Sequence, residues 1–177
     1  MEHAVFIRNV MQGRRGLTRT LLLQTFAECG ATRAASFLTT GNVVFSPDGD
    51  SASDVVRRVA ARLEAQIGLR EPFFVRGMTE LRAMRAREPF AGVPDEGVHE
   101  RFVTFLPGVP PRLPPLPLFS RRGDVEIFAA SGREVYGVTR LVQGRSGSAG
   151  PLLEHLTGLP VTTRNWRTVE RLLDRFG

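Results

Sequence analysis

Between Ala4 and Arg76 the apolar residues change their spacing in a definite order, and that order leaves few folds open. Residues 4–10 (AVFIRNV) form a nearly continuous apolar run of strand length. Gln12-Gly13-Arg14-Arg15-Gly16 breaks it as a loop. Leu22, Phe26 and Cys29 then recur at helical spacing. Thr18 is placed to cap that helix, Leu17 to staple against Leu22, and Gly30 to end it in a left-handed cap. Residues 34–39 and 42–46 read as two strands turning at Thr40-Gly41. Val55, Val56, Val59, Leu63 and Ile67 mark the inner face of a helix over 54–67, with Arg57, Arg58 and Arg62 outside and Gly68 at its end. Residues 71–76 (EPFFVR) are a further strand. The spacing therefore predicts β-α-β-β-α-β, the order of a ferredoxin-like split β-α-β unit.

The second half is less regular. Residues 79–88 continue as a helix that Pro89 terminates, 89–100 form a polar connection, and 101–106 are a strand. Six prolines crowd residues 107–117, too many for a helix or a central strand, so a stiff polyproline-like surface segment is expected there. Residues 125–129 and 134–138 form a hairpin across Ser131-Gly132-Arg133. A Gly/Ser loop over 144–150 leads to a helix over 151–156, with Pro151 at its first position. A short edge strand over 161–163 precedes the last helix. Asn165 can cap that helix, and Trp166, Val169, Leu173 and Phe176 share one of its faces. The fold class expected is α+β: a ferredoxin-like unit with an added helix over 1–88, packed with a smaller α+β unit over 89–177. The halves show no clean internal repeat.

Composition narrows the setting. A chain of 177 residues with 42% apolar content can bury a full core. Cys29 is the lone cysteine, so no intrachain disulfide forms and a reducing compartment is the simpler expectation. No signal-peptide pattern and no run of bilayer length is evident, so a cytoplasmic location without membrane contact is expected. All 24 basic residues are arginine, and the net charge is +6. Residues 1–100 hold 13 Arg against 12 acids, while 101–177 hold 11 against 6, so the excess lies in the C-terminal part. Such an excess suits phosphate or carboxylate partners, although arginines also coat ordinary solvated surfaces.

Three stretches can carry anion chemistry. Arg8, Asn9, Gly13 and Arg14 lie at a strand–loop–helix junction, where free N–H groups and a positive dipole end face an anion and adjacent guanidiniums can grip it bidentately. The spacing is neither a P-loop nor a dinucleotide fingerprint. Gly144, Arg145 and Ser146 open a second Gly/Ser loop ahead of a helix. Arg164, Asn165 and Trp166 form the third, in which a structural cap and core anchor competes with a ligand role. Residues 5–10 look like the first strand motif of an RNA-recognition domain, but residues 41–45 carry one aromatic where a stacking platform needs more. His3, His99 and His155 are scattered, so no metal site is expected; no serine occupies a nucleophile elbow, and no cofactor is implied.

The blocks Phe6-Ile7-Arg8 with Gly13, Thr40-Gly41-Asn42-Val43-Val44-Phe45, Gly144-Arg145-Ser146 and Thr163-Arg164-Asn165-Trp166-Arg167-Thr168-Val169 resemble those of a bacterial family, the domain of unknown function 1697 (DUF1697). The resemblance spans essentially the whole chain. Three departures stand out: Asn9-Val10-Met11-Gln12 replaces a small-residue turn, Thr39-Thr40 stands where Gln-Ser is usual, and Gly147 takes the place of a loop lysine. The resemblance implies an α+β fold of ferredoxin-like character and brings no established reaction, substrate or cofactor. Its matching polar positions, Arg8, Asn42, Arg145, Arg164 and Asn165, point to a shared cleft.

The function expected is binding of a phosphorylated small molecule, a nucleotide or a nucleic acid through Arg- and Gly-rich loops. A small enzyme using arginines to stabilise charge on an anionic metabolite is an alternative, though no general base is evident. A self-association module is a third, and the oligomeric state is open.

Overall fold

The computed structural model describes residues 2–110 and 113–177. The chain forms two compact units: the first runs to Arg82 and takes in Phe176–Gly177, and the second runs from Ala83 to Arg175.

The first unit contains β1 (His3–Ile7), α1 (Arg19–Glu28), β2 (Ala31–Phe37), β3 (Asn42–Pro47), α2 (Ala52–Ile67) and β4 (Phe73–Gly77). Its sheet has the order β2-β3-β1-β4, with every neighbouring pair antiparallel. Alternate residues of the central strands, Val5 and Ile7 on β1 and Val43 and Phe45 on β3, share one core with Leu22 and Phe26 of α1 and Val55, Val59 and Leu63 of α2. That is the strand period of two meeting the helical period of 3.6. Each such side chain contributes about 1.5–3 kcal/mol on burial.

The helix ends follow local chemistry. Thr18 accepts from Leu21 N at 3.0 Å to cap α1. Ser51 accepts from Asp54 N at 3.1 Å and donates to the Asp54 carboxylate at 2.8 Å, so α2 opens at Ala52, two residues before the start expected at Asp54. β1 stops at Ile7, short of the apolar run through Val10. Arg8 N still donates to Pro72 O at 3.1 Å, but Asn9 takes φ +51° and turns the chain out of the sheet.

Helix α3 (Met78–Ala86) carries the chain into the second unit, where β5 (Glu100–Phe105), β6 (Leu118–Phe119), β7 (Val125–Ser131), β8 (Glu134–Thr139), α4 (Ala149–Thr157), β9 (Thr162–Asn165) and α5 (Trp166–Phe176) follow. The second sheet is antiparallel with the order β6-β7-β8-β5-β9. β9 is an edge strand, and β6 is the opposite edge, which the proline-rich composition concealed. Within residues 107–117, positions 111–112 lie outside the described residues. Leu113, Leu116 and Leu118 pack against the core of Phe102, Leu106, Ile127 and Leu153, so the segment lends apolar side chains to the core and is more than a surface spacer. α4 begins at Ala149 behind a Ser148 cap, which places Pro151 third in the helix. The position costs nothing, because the first four N–H groups have no intrahelical partner anyway.

Candidate functional site

One end of the first sheet opens into a cleft of about 580 Å³. Its walls come from the segment after β1 (Arg8, Asn9, Val10, Met11, Arg14, Arg15, Leu17) and from the segment between α2 and β4 (Ile67, Gly68, Leu69, Arg70, Glu71, Pro72). These segments meet because β1 and β4 are antiparallel neighbours: Ile7 pairs with Phe73 at the end of the ladder. Four guanidiniums face one carboxylate. Arg8 is tied to Glu71 at 3.4 Å and Arg70 to Glu64 at 2.9 Å. Arg14 and Arg15 are exposed, and their side chains make no ion pair or hydrogen bond among the described residues.

The arginine pair is presented by a tight turn. Leu17 N donates to Arg14 O at 3.0 Å, and Arg15 and Gly16 both have positive φ, +50° and +77°, the signature of a type I′ turn. The wall ends at Leu17, so the α1 start expected to face an anion is not part of the lining. The cleft's positive character comes from side chains. The C-terminal end of α2 opposes it with about half a negative charge, less than the four guanidiniums supply.

Of the residues singled out in this half, Arg8, Asn9 and Arg14 line the cleft, while Gly13, Gly41 and Asn42 do not. Gly41 and Asn42 hold the cleft's rim from behind. Gly41 O accepts from Ile7 N at 2.8 Å, and a Cβ at position 41 would stand 2.2 Å from Val10 Cγ2 and 3.0 Å from Ile7 O. Asn42 is fully buried, and its amide donates to Phe37 O at 3.0 Å and to Thr40 Oγ1 at 3.1 Å. Gln12 completes the brace, through its N–H to Thr39 O at 2.8 Å and its Nε2 to Ser36 Oγ at 2.6 Å. The Thr-Gly-Asn motif is thus the scaffold of the arginine-bearing loop. Arg15 lines the cleft beside Arg14, as the adjacent arginines of that loop suggested, whereas Arg70 and Glu71 attract no notice in the sequence; the adjacency of β1 and β4 implied by the element order is the signal that would have found those two.

The remaining candidates belong to the second unit. Val142 and Arg145 exchange hydrogen bonds at 2.8 and 3.1 Å around Gln143 (φ +52°) and Gly144 (φ +73°), a second type I′ turn, and Arg145 and Ser146 are exposed on it. The turn closes at Arg145, before the helix start that Ser148 caps. Gly147 lies against buried Asp124: a Cβ there would be 2.8 Å from Asp124 Oδ2, so the position admits no side chain without movement. Asp124 accepts from both the Nε and the Nη2 of Arg122 and from Ser120 Oγ at 2.6 Å. Those bonds, Arg122's first, hold its carboxyl below the usual range.

Arg164 on β9 is half-buried and donates from Nη1 to Thr162 Oγ1 at 2.7 Å and to Thr163 O at 2.9 Å. Desolvation lowers its pKa to about 10, and it stays cationic at neutral pH. Asn165 Oδ1 accepts from Arg167 N at 2.9 Å and caps α5. Trp166 is buried beside Phe90 and Tyr136, with ring centroids 5.3 and 6.3 Å away.

Among the described residues no group of His, Cys, Asp and Glu could hold a metal ion, and no helix is long and apolar enough to cross a membrane. The architecture is that of a mixed α+β protein with two antiparallel sheets and, among the described residues, five helices. The chain belongs to the family described as protein of unknown function (DUF1697), whose model matches residues 1–136. The arginine cleft lies inside that span, and the blocks around Arg145 and Trp166 lie beyond it. The solved structure of a conserved bacterial protein from Streptococcus pneumoniae is similar, with a TM-score of 0.69 and 16% identity, covering 98% of this chain and 97% of that one. At that identity the likeness is one of fold. No curated protein matches the chain.

Proposed function

We propose that the first unit is a ferredoxin-like scaffold, working in the cytoplasm, that binds a small phosphorylated or otherwise anionic ligand in the cleft between Arg8–Leu17 and Ile67–Pro72. The observation carrying this reading is the unpaired Arg14–Arg15 turn on a cleft of about 580 Å³, next to two further guanidiniums. Cationic side chains without counter-charges at the mouth of a concave site attract anions and can bond them bidentately. Val10, Met11, Leu17, Ile67, Leu69 and Pro72 make the rest of the wall apolar, which suits a ligand with an uncharged body, such as a nucleotide. The lining carries no aromatic platform, which favours a single nucleotide over a strand. It also favours binding over catalysis, since Glu71, its one carboxylate, is engaged by Arg8.

Calorimetric titration of the full chain with ADP and with a short oligonucleotide, at low and moderate salt, tests the reading. ADP is expected to bind at low salt and to weaken as salt rises, because screening shortens to about 10 Å at roughly 0.1 M. Absence of ADP binding at low salt overturns it, and tighter binding of the oligonucleotide redirects it to nucleic acid.

A further inference from the structure

A second concavity, of opposite character, lies in the other unit. It has a volume of about 290 Å³ and is lined by Arg85, Glu88, Pro89, Phe90, Ala91, Trp166 and Glu170. We infer that it is a binding site for a small organic cation of the alkylammonium class, held against the wall formed by the Phe90 and Trp166 rings by the Glu88 and Glu170 carboxylates.

Three observations carry this. First, the aromatic wall is rigid. Phe90 and Trp166 lie 5.3 Å apart at 51°, and Phe90 is packed edge-on against Phe128 and Tyr136 at 5.6 and 6.1 Å. Aromatic walls of this kind attract desolvated ammonium groups through the ring quadrupole. Second, Glu88 and Glu170 make no side-chain hydrogen bond or ion pair among the described residues. Glu170 stands four residues after Trp166 on α5, so both fall on the same helical face. Glu88 is held in place by its backbone, which accepts from Ala91 N and donates to Arg85 O, each at 2.9 Å. Third, the one cationic side chain of the lining already has an acidic partner: Arg85 Nη1 bonds Asp174 Oδ1 at 2.7 Å. Two uncompensated carboxylates beside two fixed rings select positive charge on an apolar body. An anion would meet repulsion from both acids, and a neutral ligand would leave them without a partner.

The test uses the protein's own reporter, since Trp166 is the chain's single tryptophan. Tert-butylammonium chloride is titrated against the full chain while tryptophan emission is followed, with tert-butanol as the neutral counterpart and sodium chloride at matched ionic strength. A saturable change with the ammonium, absent with the alcohol and the salt, is expected. Glu88→Gln with Glu170→Gln is expected to weaken the ammonium by about tenfold while leaving the melting temperature near wild type, as both acids lack partners to lose. No saturable change, equal affinity for tert-butanol, or an unchanged Kd in the folded double variant overturns the site. None of these outcomes bears on ADP binding by the other unit.

Discussion

Replacing both Arg14 and Arg15 by alanine is expected to weaken ADP binding by about a hundredfold while leaving the fold intact. Hydrogen bonds to charged groups are worth about 1.5–3 kcal/mol, and about 1.4 kcal/mol corresponds to tenfold in affinity, so each guanidinium accounts for roughly one decade. The cost in stability should stay within about 0.5 kcal/mol, because both side chains are exposed and bond to nothing else among the described residues. The pair separates site from scaffold: calorimetric titration reads the first and thermal melting the second. Unchanged affinity in the folded variant would remove the turn from the site. Arg8 is a less clean probe, since its removal also strands Glu71.

Gly41→Ala is expected to destabilise the protein by about 2–5 kcal/mol. Gly41 has φ +73°, where an L side chain costs about 1–2 kcal/mol, and the added methyl would fall 2.2 Å from Val10 Cγ2, an overpacking worth about 1–3 kcal/mol more. Relief requires Val10 to move, and Val10 is part of the cleft wall, so ADP affinity should fall along with stability. Gly49→Ala is the matching control. Gly49 has nearly the same φ, +74°, and nothing within 4 Å of its added methyl, so only the backbone term of about 1–2 kcal/mol should remain. Equal melting temperatures for the two variants would show that Gly41 does not brace the loop.

How much of this architecture is legible in the sequence depends on how local its causes are. The β-α-β-β-α-β order was legible because each element declares its own period; α2 shows it best, with Val55, Val56, Val59 and Leu63 buried and Gly68 ending the helix at φ +68°. The caps were legible for the same local reason: Thr18 and Asn165 need only the N–H groups two or three residues ahead of them. What depends on distant chain was not. Asn42 carries a polar amide in a conspicuous motif, yet the packing of the folded unit buries that side chain completely, and its amide donates to Phe37 O and Thr40 Oγ1 instead of facing a ligand. Arg70 and Glu71 attract no notice in the sequence, and they join the cleft only because β4 pairs with β1. The edge strand β6 was hidden by prolines that composition assigns to a spacer, while Leu118 and Phe119 pair with Ile127 and Glu126. Gly147 is explained only by buried Asp124 across from it, a contact between loops 23 positions apart in the numbering.

The most direct measurement is a map of backbone amide shifts in isotope-labelled protein as ADP is added. Movement concentrated at Asn9–Leu17 and Gly68–Glu71 is the expected result. A folded protein in which those amides stay still, or in which shifts gather instead around Gly144–Ser146, would contradict the assignment of the anion to the arginine turn of the first unit.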